Sequence, residues 1–189
     1  MQKLLILVAF ILFPVVCNVA GADEALERGI PSVEKTARID ALFQELKFST
    51  NEQDAFQIEQ KIWIEWTSPD DPELAKLMQQ ALSARRASDF DKALRILDRV
   101  VANWSAYAEG WNQRATVHFL RGDWEKSLTD IAETLYREPR HFGSLAGRGV
   151  IHLQQGRLDL AVQSILTAMH HHPYLRERNL IAHLIEEAK

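Results

Sequence analysis

The sequence predicts an all-α protein built from helical hairpins stacked one on another. Residues of matched size recur every 34 positions through the C-terminal half of the chain, and a fixed period of this length is typical of one repeated helical hairpin. Upstream of the repeats, apolar residues recur at helical spacing in two further segments. The chain of 189 residues, 47% of them hydrophobic and 25% charged, has the composition of an ordinary folded protein.

The first 22 residues have the pattern of a cleavable signal peptide. Lys3 gives a positive start, and the apolar run from Leu4 to Val16 follows it. A membrane anchor is the alternative, but this run spans roughly 20 Å as a helix, less than the ~30 Å hydrocarbon core of a bilayer. The small residues Ala20 and Ala22 predict cleavage before Asp23. We therefore expect export to a periplasm, with secretion as the alternative, and no membrane span in the mature chain.

Composition excludes several kinds of chemistry. Cys17, the one cysteine, lies within the predicted signal, so the mature chain has no disulfide and no thiolate site. Acidic residues outnumber basic ones by 26 to 22 without a dense basic stripe, which argues against nucleic acid as a partner. No nucleophile elbow, phosphate loop or His-Glu-x-x-His string occurs. The sequence therefore predicts neither an enzyme nor a cofactor.

Residues 23–71 are predicted to form an N-terminal helical hairpin that covers the repeats. Ser32 to Leu46 and Asn51 to Trp66 are amphipathic, and Asn51 or Thr50 is a suitable cap for the second helix. Trp63 belongs to the apolar side of that helix, so we interpret it and Trp66 as core residues in preference to ligand contacts. The Pro-Asp-rich residues 68–72 predict a turn that also starts the first repeat.

Residues 72–175 contain three repeats, at 74–107, 108–141 and 142–175. Small residues occupy the eighth position of each repeat, where two helices must approach closely: Ala81, Ala115 and Gly149. A turn is predicted at the fifteenth position, for which glycine suits a left-handed helix cap: Ser88, Gly122 and Gly156. Proline ends the second and third repeats, since Pro139 and Pro173 are also 34 residues apart.

These residues resemble the tetratricopeptide repeat family, most strongly from Trp111 through Gly122-Asp123-Trp124 to Pro139. The resemblance implies hairpins stacked in a short right-handed superhelix. Arg114 and Arg148 depart from the family pattern, which has leucine there. Arg114 lies 16 residues before Asp130, on the opposite helix of its hairpin, so we expect an ion pair; Arg148 faces Ser164 and lacks an acid.

In this family the first helices of successive hairpins line a concave groove that binds a peptide or protein segment. The resemblance therefore implies a non-catalytic interaction scaffold, with a protein or peptide as the partner. An extended or a helical segment would bury apolar surface there, and Asn112 and Thr116 are expected to satisfy its backbone. The expected groove residues are Met78, Leu82, Arg85, Glu109, Asn112, Thr116, Phe119, Ala146, Val150 and Leu153.

Histidine is the one residue type that raises the question of a metal, and no metal site is predicted. His118 and His152 share one repeat position, where the family has tyrosine, so packing explains both. His170, His171 and His172 are consecutive, and neighbours on a helix point about 100° apart. Three such side chains cannot bind one ion together, whereas a helix C-terminus favours partly positive side chains.

Residues 176–189 are predicted to form a capping helix that closes the open end of the stack, with apolar Leu180, Ile181, Leu184 and Ile185 at helical spacing. Two alternatives to the binding scaffold stay open. One is a structural subunit, including a homo-oligomer, that assembles through Trp63, Trp66 and the N-terminal helices, with its groove empty or filled by its own segment. The other, less favoured, is a small metal-binding or hydrolytic protein.

Overall fold

A computed structural model describes residues 28–181, and all regular secondary structure within that range is helical. The predicted signal peptide lies outside the described residues, as does most of the predicted capping helix. Residues 178–181 begin a helix at the C-terminal edge of the described range. No helix of the described part is long and apolar enough to cross a membrane.

The helices pair along the chain into antiparallel hairpins. The first pair, α1 and α2, precedes the repeats, and each repeat contributes one of the three pairs that follow. Their bounds are α1 Val33–Lys47, α2 Glu52–Thr67, α3 Pro72–Arg86, α4 Phe90–Asn103, α5 Ala108–Leu120, α6 Trp124–Arg137, α7 Phe142–Gln154 and α8 Leu158–His171.

Side-chain caps explain where the first three helices begin. The Ser32 hydroxyl accepts the Lys35 amide at 3.2 Å, and the side-chain Oδ1 of Asn51 accepts the Asp54 amide at 2.9 Å. The Asp71 carboxylate accepts the Glu73 amide at 2.8 Å, and the proline that follows it has no amide hydrogen to satisfy. The predicted starts of α1 and α2 are confirmed within one residue, and α3 begins at Pro72, two residues before the first repeat.

The predicted left-handed turns are confirmed at all three repeat positions. Ser88, Gly122 and Gly156 have φ angles of 59°, 79° and 70°. The second helix of each hairpin starts two residues later, at Phe90, Trp124 and Leu158. The repeat in the sequence is therefore a repeat in backbone conformation as well.

The small residues at the eighth position allow the two helices of a hairpin to approach closely. Ala81 and Ala115 are 1% and 2% exposed. At Gly149 a methyl group would lie 2.7 Å from Cγ1 of Ile165 and 3.2 Å from the carbonyl oxygen of Ala161, closer than carbon atoms pack. A larger side chain would force α7 and α8 apart.

The N-terminal hairpin lies across the turns between repeats. Helix α1 contacts α8, and α2 contacts α5. The Phe43 and Phe142 rings meet at 6.2 Å, and the Trp63 and Phe142 rings at 5.5 Å. One apolar cluster therefore joins this hairpin to the repeats; its buried members are Ile39, Phe43, Leu46, Ala55, Ile62, Trp66, Phe142, Leu145, Ala146, Ala168 and Leu175.

The two arginines that depart from the family pattern have the expected surroundings. The Arg114 guanidinium donates to both carboxylate oxygens of Asp130, at 2.7 and 2.8 Å, and to Asp98 at 2.9 Å. The Asp130 side chain is 3% exposed. Nε of Arg148 donates to the Ser164 hydroxyl at 3.1 Å, and no carboxylate of the described residues pairs with it.

Replacing Arg114 by methionine should lower the free energy of unfolding by about 2–3 kcal/mol, because it leaves the buried Asp130 carboxylate without its cation. The same change at Arg148 should cost less than about 1 kcal/mol, since it removes one neutral acceptor's hydrogen bond. Urea denaturation of both variants measures the difference. Equal losses would show that the Asp130 ion pair does not contribute to stability.

Candidate binding groove

Helices α3, α5 and α7 form the concave face, since α3 contacts α5 and α5 contacts α7. The 34-residue repeat places equivalent side chains in rows that cross these helices. A row near the helix starts contains Met78, Asn112 and Ala146. Two rows nearer the helix ends contain Leu82, Thr116 and Val150, and Arg85, Phe119 and Leu153.

The row of side chains near the helix starts is buried. Met78 is 2% exposed and belongs to the core of the first repeat, while Asn112 and Ala146 are 7% and 4% exposed. Glu109, one turn earlier on α5, is 1% exposed. These four predicted groove residues are therefore almost fully buried.

Two tryptophans of α2 cover this half of the groove. The Trp66 ring stacks on His141 with a centroid distance of 4.1 Å and an interplanar angle of 8°. The Trp63 ring lies against Gly143, where a methyl group would come within 2.8 Å of the indole. The Tyr107 hydroxyl donates to the backbone oxygen of Trp66 at 2.7 Å, and burial raises the pKa of Tyr107. The N-terminal hairpin thus occupies the part of the concave face where α5 and α7 begin.

A buried polar network lies beneath Trp66. The Glu109 carboxylate accepts from the side-chain amides of Asn112 at 3.0 Å and Gln113 at 2.5 Å. Nδ1 of His141, which is 0% exposed, accepts the Ser144 amide at 3.1 Å. The ring proton of the neutral imidazole is therefore on Nε2, 3.1 Å from Glu109. One carboxylate thus links three buried donors of the second repeat, one of them in the turn before α7.

A second polar contact ties α2 to the end of α8. Nε2 of His172, a residue that is 1% exposed, lies 3.2 Å from the Glu59 carboxylate. The Trp63 indole nitrogen donates to the other Glu59 oxygen at 3.1 Å. Burial by itself raises the pKa of Glu59, but the hydrogen bonds from His172 and Trp63 outweigh it and leave that pKa lowered. The contact therefore favours the charged carboxylate.

The two rows near the helix ends remain partly exposed, and we call their six residues the open strip: Leu82, Arg85, Thr116, Phe119, Val150 and Leu153. A cavity of about 250 Å³ adjoins the strip. It brings together Asn112, Thr116, Phe119, Ala146 and Val150 of the predicted set. The other five predicted residues do not line it, and Glu109 lines a different cavity.

Side-chain hydrogen bonding within the groove is largely satisfied inside the protein. The Asn112 amide nitrogen donates to Glu109, and its amide oxygen accepts from the Ser144 hydroxyl at 2.7 Å. The Thr116 hydroxyl donates to the backbone oxygen of Asn112 at 2.9 Å. Each end of the Asn112 amide therefore makes one buried internal bond, and its predicted role toward a guest backbone stays a prediction.

The role of His141 was not predicted from the sequence, which indicated only a turn between repeats at this point. The repeat pattern does contain a signal that a surface at these turns is covered. The last residue of each repeat is large and buried: Tyr107, His141 and Leu175 are 8%, 0% and 5% exposed. A row of large residues at these turns indicates a surface that something covers, and here α1 and α2 cover it.

A second cavity, of about 260 Å³, lies where the N-terminal hairpin meets the first two repeats. The charged side chains that line this cavity form ion pairs or hydrogen bonds within the protein. Glu65 pairs with Arg38 at 2.9 Å, and Glu138 with Arg140 at 2.8 Å. The remaining charged residues that line it, Lys35, Asp70, Asp71, Glu109 and Arg137, also have ionic or hydrogen-bonded partners. This cavity offers a ligand no free charged group, so the open strip is the better candidate site.

The three consecutive histidines point into different surroundings. His170 is exposed, His171 packs edge-on against Phe43 at 6.5 Å, and His172 bonds to Glu59. Within residues 28–181 no three His, Cys, Asp or Glu side chains form a group that could hold a metal ion. Ring packing accounts for His171, and the contact with Glu59 accounts for His172.

Comparison with known proteins agrees with the fold. A model of the tetratricopeptide repeat matches residues 78–140 and 121–170. A TPR repeat-containing protein of Rhizobium etli is 35% identical over 158 residues, which cover 82% of this chain and 78% of the relative. The crystal structure of MamA superposes with a TM-score of 0.50 at 18% identity, over 70% of this chain and 77% of MamA. At that identity the likeness concerns the fold alone. The chain belongs to the tetratricopeptide repeat family.

Proposed function

We propose that this protein is a non-catalytic scaffold that binds a segment of another protein on its open strip. The observation that carries the proposal is the contrast between the two halves of the concave face. The half near the helix starts is buried, partly in the core of the first repeat and partly beneath Trp63 and Trp66 of α2. The half near the helix ends keeps Leu82, Phe119, Val150 and Leu153 partly exposed. Apolar side chains that line a concave surface favour association with a partner.

Among the described residues, α1 and α2 form the cover, and α3 to α8 form the three repeats. The predicted division at 23–71, 72–175 and 176–189 stays a proposal, because residues 23–27 and 182–189 lie outside the described range. The apolar run from Leu4 to Val16 supports an exported protein, with a periplasm as its compartment and secretion as the alternative.

Assembly into a structural subunit through Trp63 and Trp66 is the alternative. Trp66 is 6% exposed and stacks on His141 of its own chain. A second subunit could use that surface only after the hairpin had left the repeats. The internal packing of Trp66 therefore favours the open strip as the partner surface.

The double substitution Leu82→Asp and Phe119→Asp should abolish partner capture while the protein remains folded by circular dichroism. Two carboxylates on the strip would have to be desolvated against an apolar guest. Crosslinking in the native envelope, followed by mass spectrometry, identifies what each variant retains. The control places the same change at Leu158 and Leu166, both 51% exposed on α8. Retention of every partner by the strip variant would contradict the proposal.

A further inference from the structure

We infer that the open strip recognises the apolar face of an amphipathic α-helix that carries a carboxylate on that face. This inference rests on the proposed function and specifies the guest. Three features of the strip support it: its satisfied hydrogen bonds, its one unpaired cation and its length.

The hydrogen bonds argue for a helix over an extended peptide. Four side chains of the strip are apolar and have no polar group: Leu82, Phe119, Val150 and Leu153. The Thr116 hydroxyl donates its hydrogen bond to the backbone oxygen of Asn112. An extended guest would bury amide and carbonyl groups without partners, at about 1–3 kcal/mol for each group. A helix satisfies its own backbone and presents only side chains. Apart from Arg85 at one end, the strip therefore fits a guest whose backbone hydrogen bonds are satisfied within the guest itself.

The charge on the strip defines one side chain of the guest. Arg85 is partly buried, and among the described residues no hydrogen bond or close ion pair reaches its guanidinium. Burial lowers its pKa, neighbouring Glu109 acts in the opposite direction and Arg86 adds to the lowering. Both oxygens of Glu109 are already engaged by Asn112, Gln113 and His141. A guest carboxylate is thus the natural counter-ion of Arg85.

Position within the repeat fixes where that carboxylate lies. Phe119 and Leu153 occupy the same repeat position as Arg85, so the cation stands at the α3 end of an otherwise apolar row. Adjacent helix axes are about 10 Å apart, and the row crosses three helices, or about 20 Å. A helix rises about 1.5 Å per residue, so roughly 13 residues span the row. The guest is then a helix of three to four turns with its acidic residue near one end.

Selection from a random library of 16-residue peptides tests the inference, with the full mature chain as bait and its Phe119→Asp variant as counter-bait. Peptides that bind only the former should carry apolar residues at i, i+3 or i+4 and i+7, together with an acid on the same face. Enrichment of alternating apolar residues would overturn the helix while leaving the proposed function intact. If no enriched peptide depended on Phe119, the proposed function itself would fail.

A mutant cycle on one enriched peptide tests the carboxylate. Replacing the acidic residue shared by the enriched peptides with its amide should weaken binding about three- to tenfold in fluorescence anisotropy. In the Arg85→Gln variant, the acidic and the amide peptide should bind equally well. Arg86→Gln is the matched control on the exposed side of α3. Equal loss in wild type and Arg85→Gln would overturn the assignment of Arg85. Two further results would overturn the inference itself: a gain in affinity on deleting residues 182–189, or a dimer that Phe119→Asp abolishes. Either would show that the strip holds a segment of this chain instead of a guest.

Discussion

Replacing Trp66 by alanine is expected to lower the free energy of unfolding by about 3–5 kcal/mol, the usual cost of removing a large buried aromatic side chain. Trp66 is 6% exposed and contacts four rings. It stacks on His141 at 4.1 Å and packs against Phe142, Trp63 and Phe43 at 5.1, 5.3 and 5.8 Å. The cavity left behind would lie between the N-terminal hairpin and the repeats, where backbone relaxation cannot easily fill it.

The effect of Trp66→Ala should be concentrated in the hairpin. Hydrogen exchange should accelerate in α1 and α2 more than in α6, because the hairpin loses its principal contact with the repeats while the repeats keep their own. Thermal unfolding and exchange mass spectrometry measure the two effects. Tyr136→Ala is the matched control, since that aromatic ring is 84% exposed and its loss should change stability by less than about 0.5 kcal/mol. Wild-type exchange in α1 and α2 would contradict this account of the hairpin's attachment.

Glu109→Ala should cost a similar amount, about 3–5 kcal/mol, for a different reason. The carboxylate is 1% exposed and is the acceptor for Asn112, Gln113 and His141. Its removal leaves three buried donors without an acceptor, and each unsatisfied group carries its own desolvation cost. The loss combines a broken network with a small cavity.

Two variants separate these contributions. Glu109→Gln retains the size of the side chain and one carbonyl oxygen, so it should lose less stability than Glu109→Ala. Glu125→Ala is a surface control, because Glu125 is exposed and accepts only a 3.2 Å bond from Gln155. Its loss should stay below about 0.5 kcal/mol. If Glu109→Ala unfolded at the same urea concentration as wild type, the network would be irrelevant to stability.

The sequence predicted the repeats well because their determinants are local. A left-handed cap at Gly122 and Gly156 and a small residue at Gly149 follow from backbone conformation and helix spacing, and both recur at a fixed interval. The ion pair of Arg114 with Asp130 was also predictable, since both residues belong to one hairpin. Short-range rules suffice wherever the contacting residues are close along the chain.

The candidate site depended on contacts distant along the chain. The repeat register alone identified ten groove residues, but it could not show that α2 covers those near the helix starts. That cover depends on Trp66 meeting His141, a contact between residues 66 and 141 that no local pattern specifies. It also determines that Asn112 is engaged internally and that Arg85 lies on the part of the face left open.

The sequence by itself therefore determined the family, the hairpins and the rows of side chains on the concave face. The tertiary structure decided which of those rows a guest can reach. The physical reason is that secondary structure and repeat packing are encoded by short-range periodicity, whereas the docking of the N-terminal hairpin depends on the summed complementarity of aromatic and polar groups from separate parts of the chain.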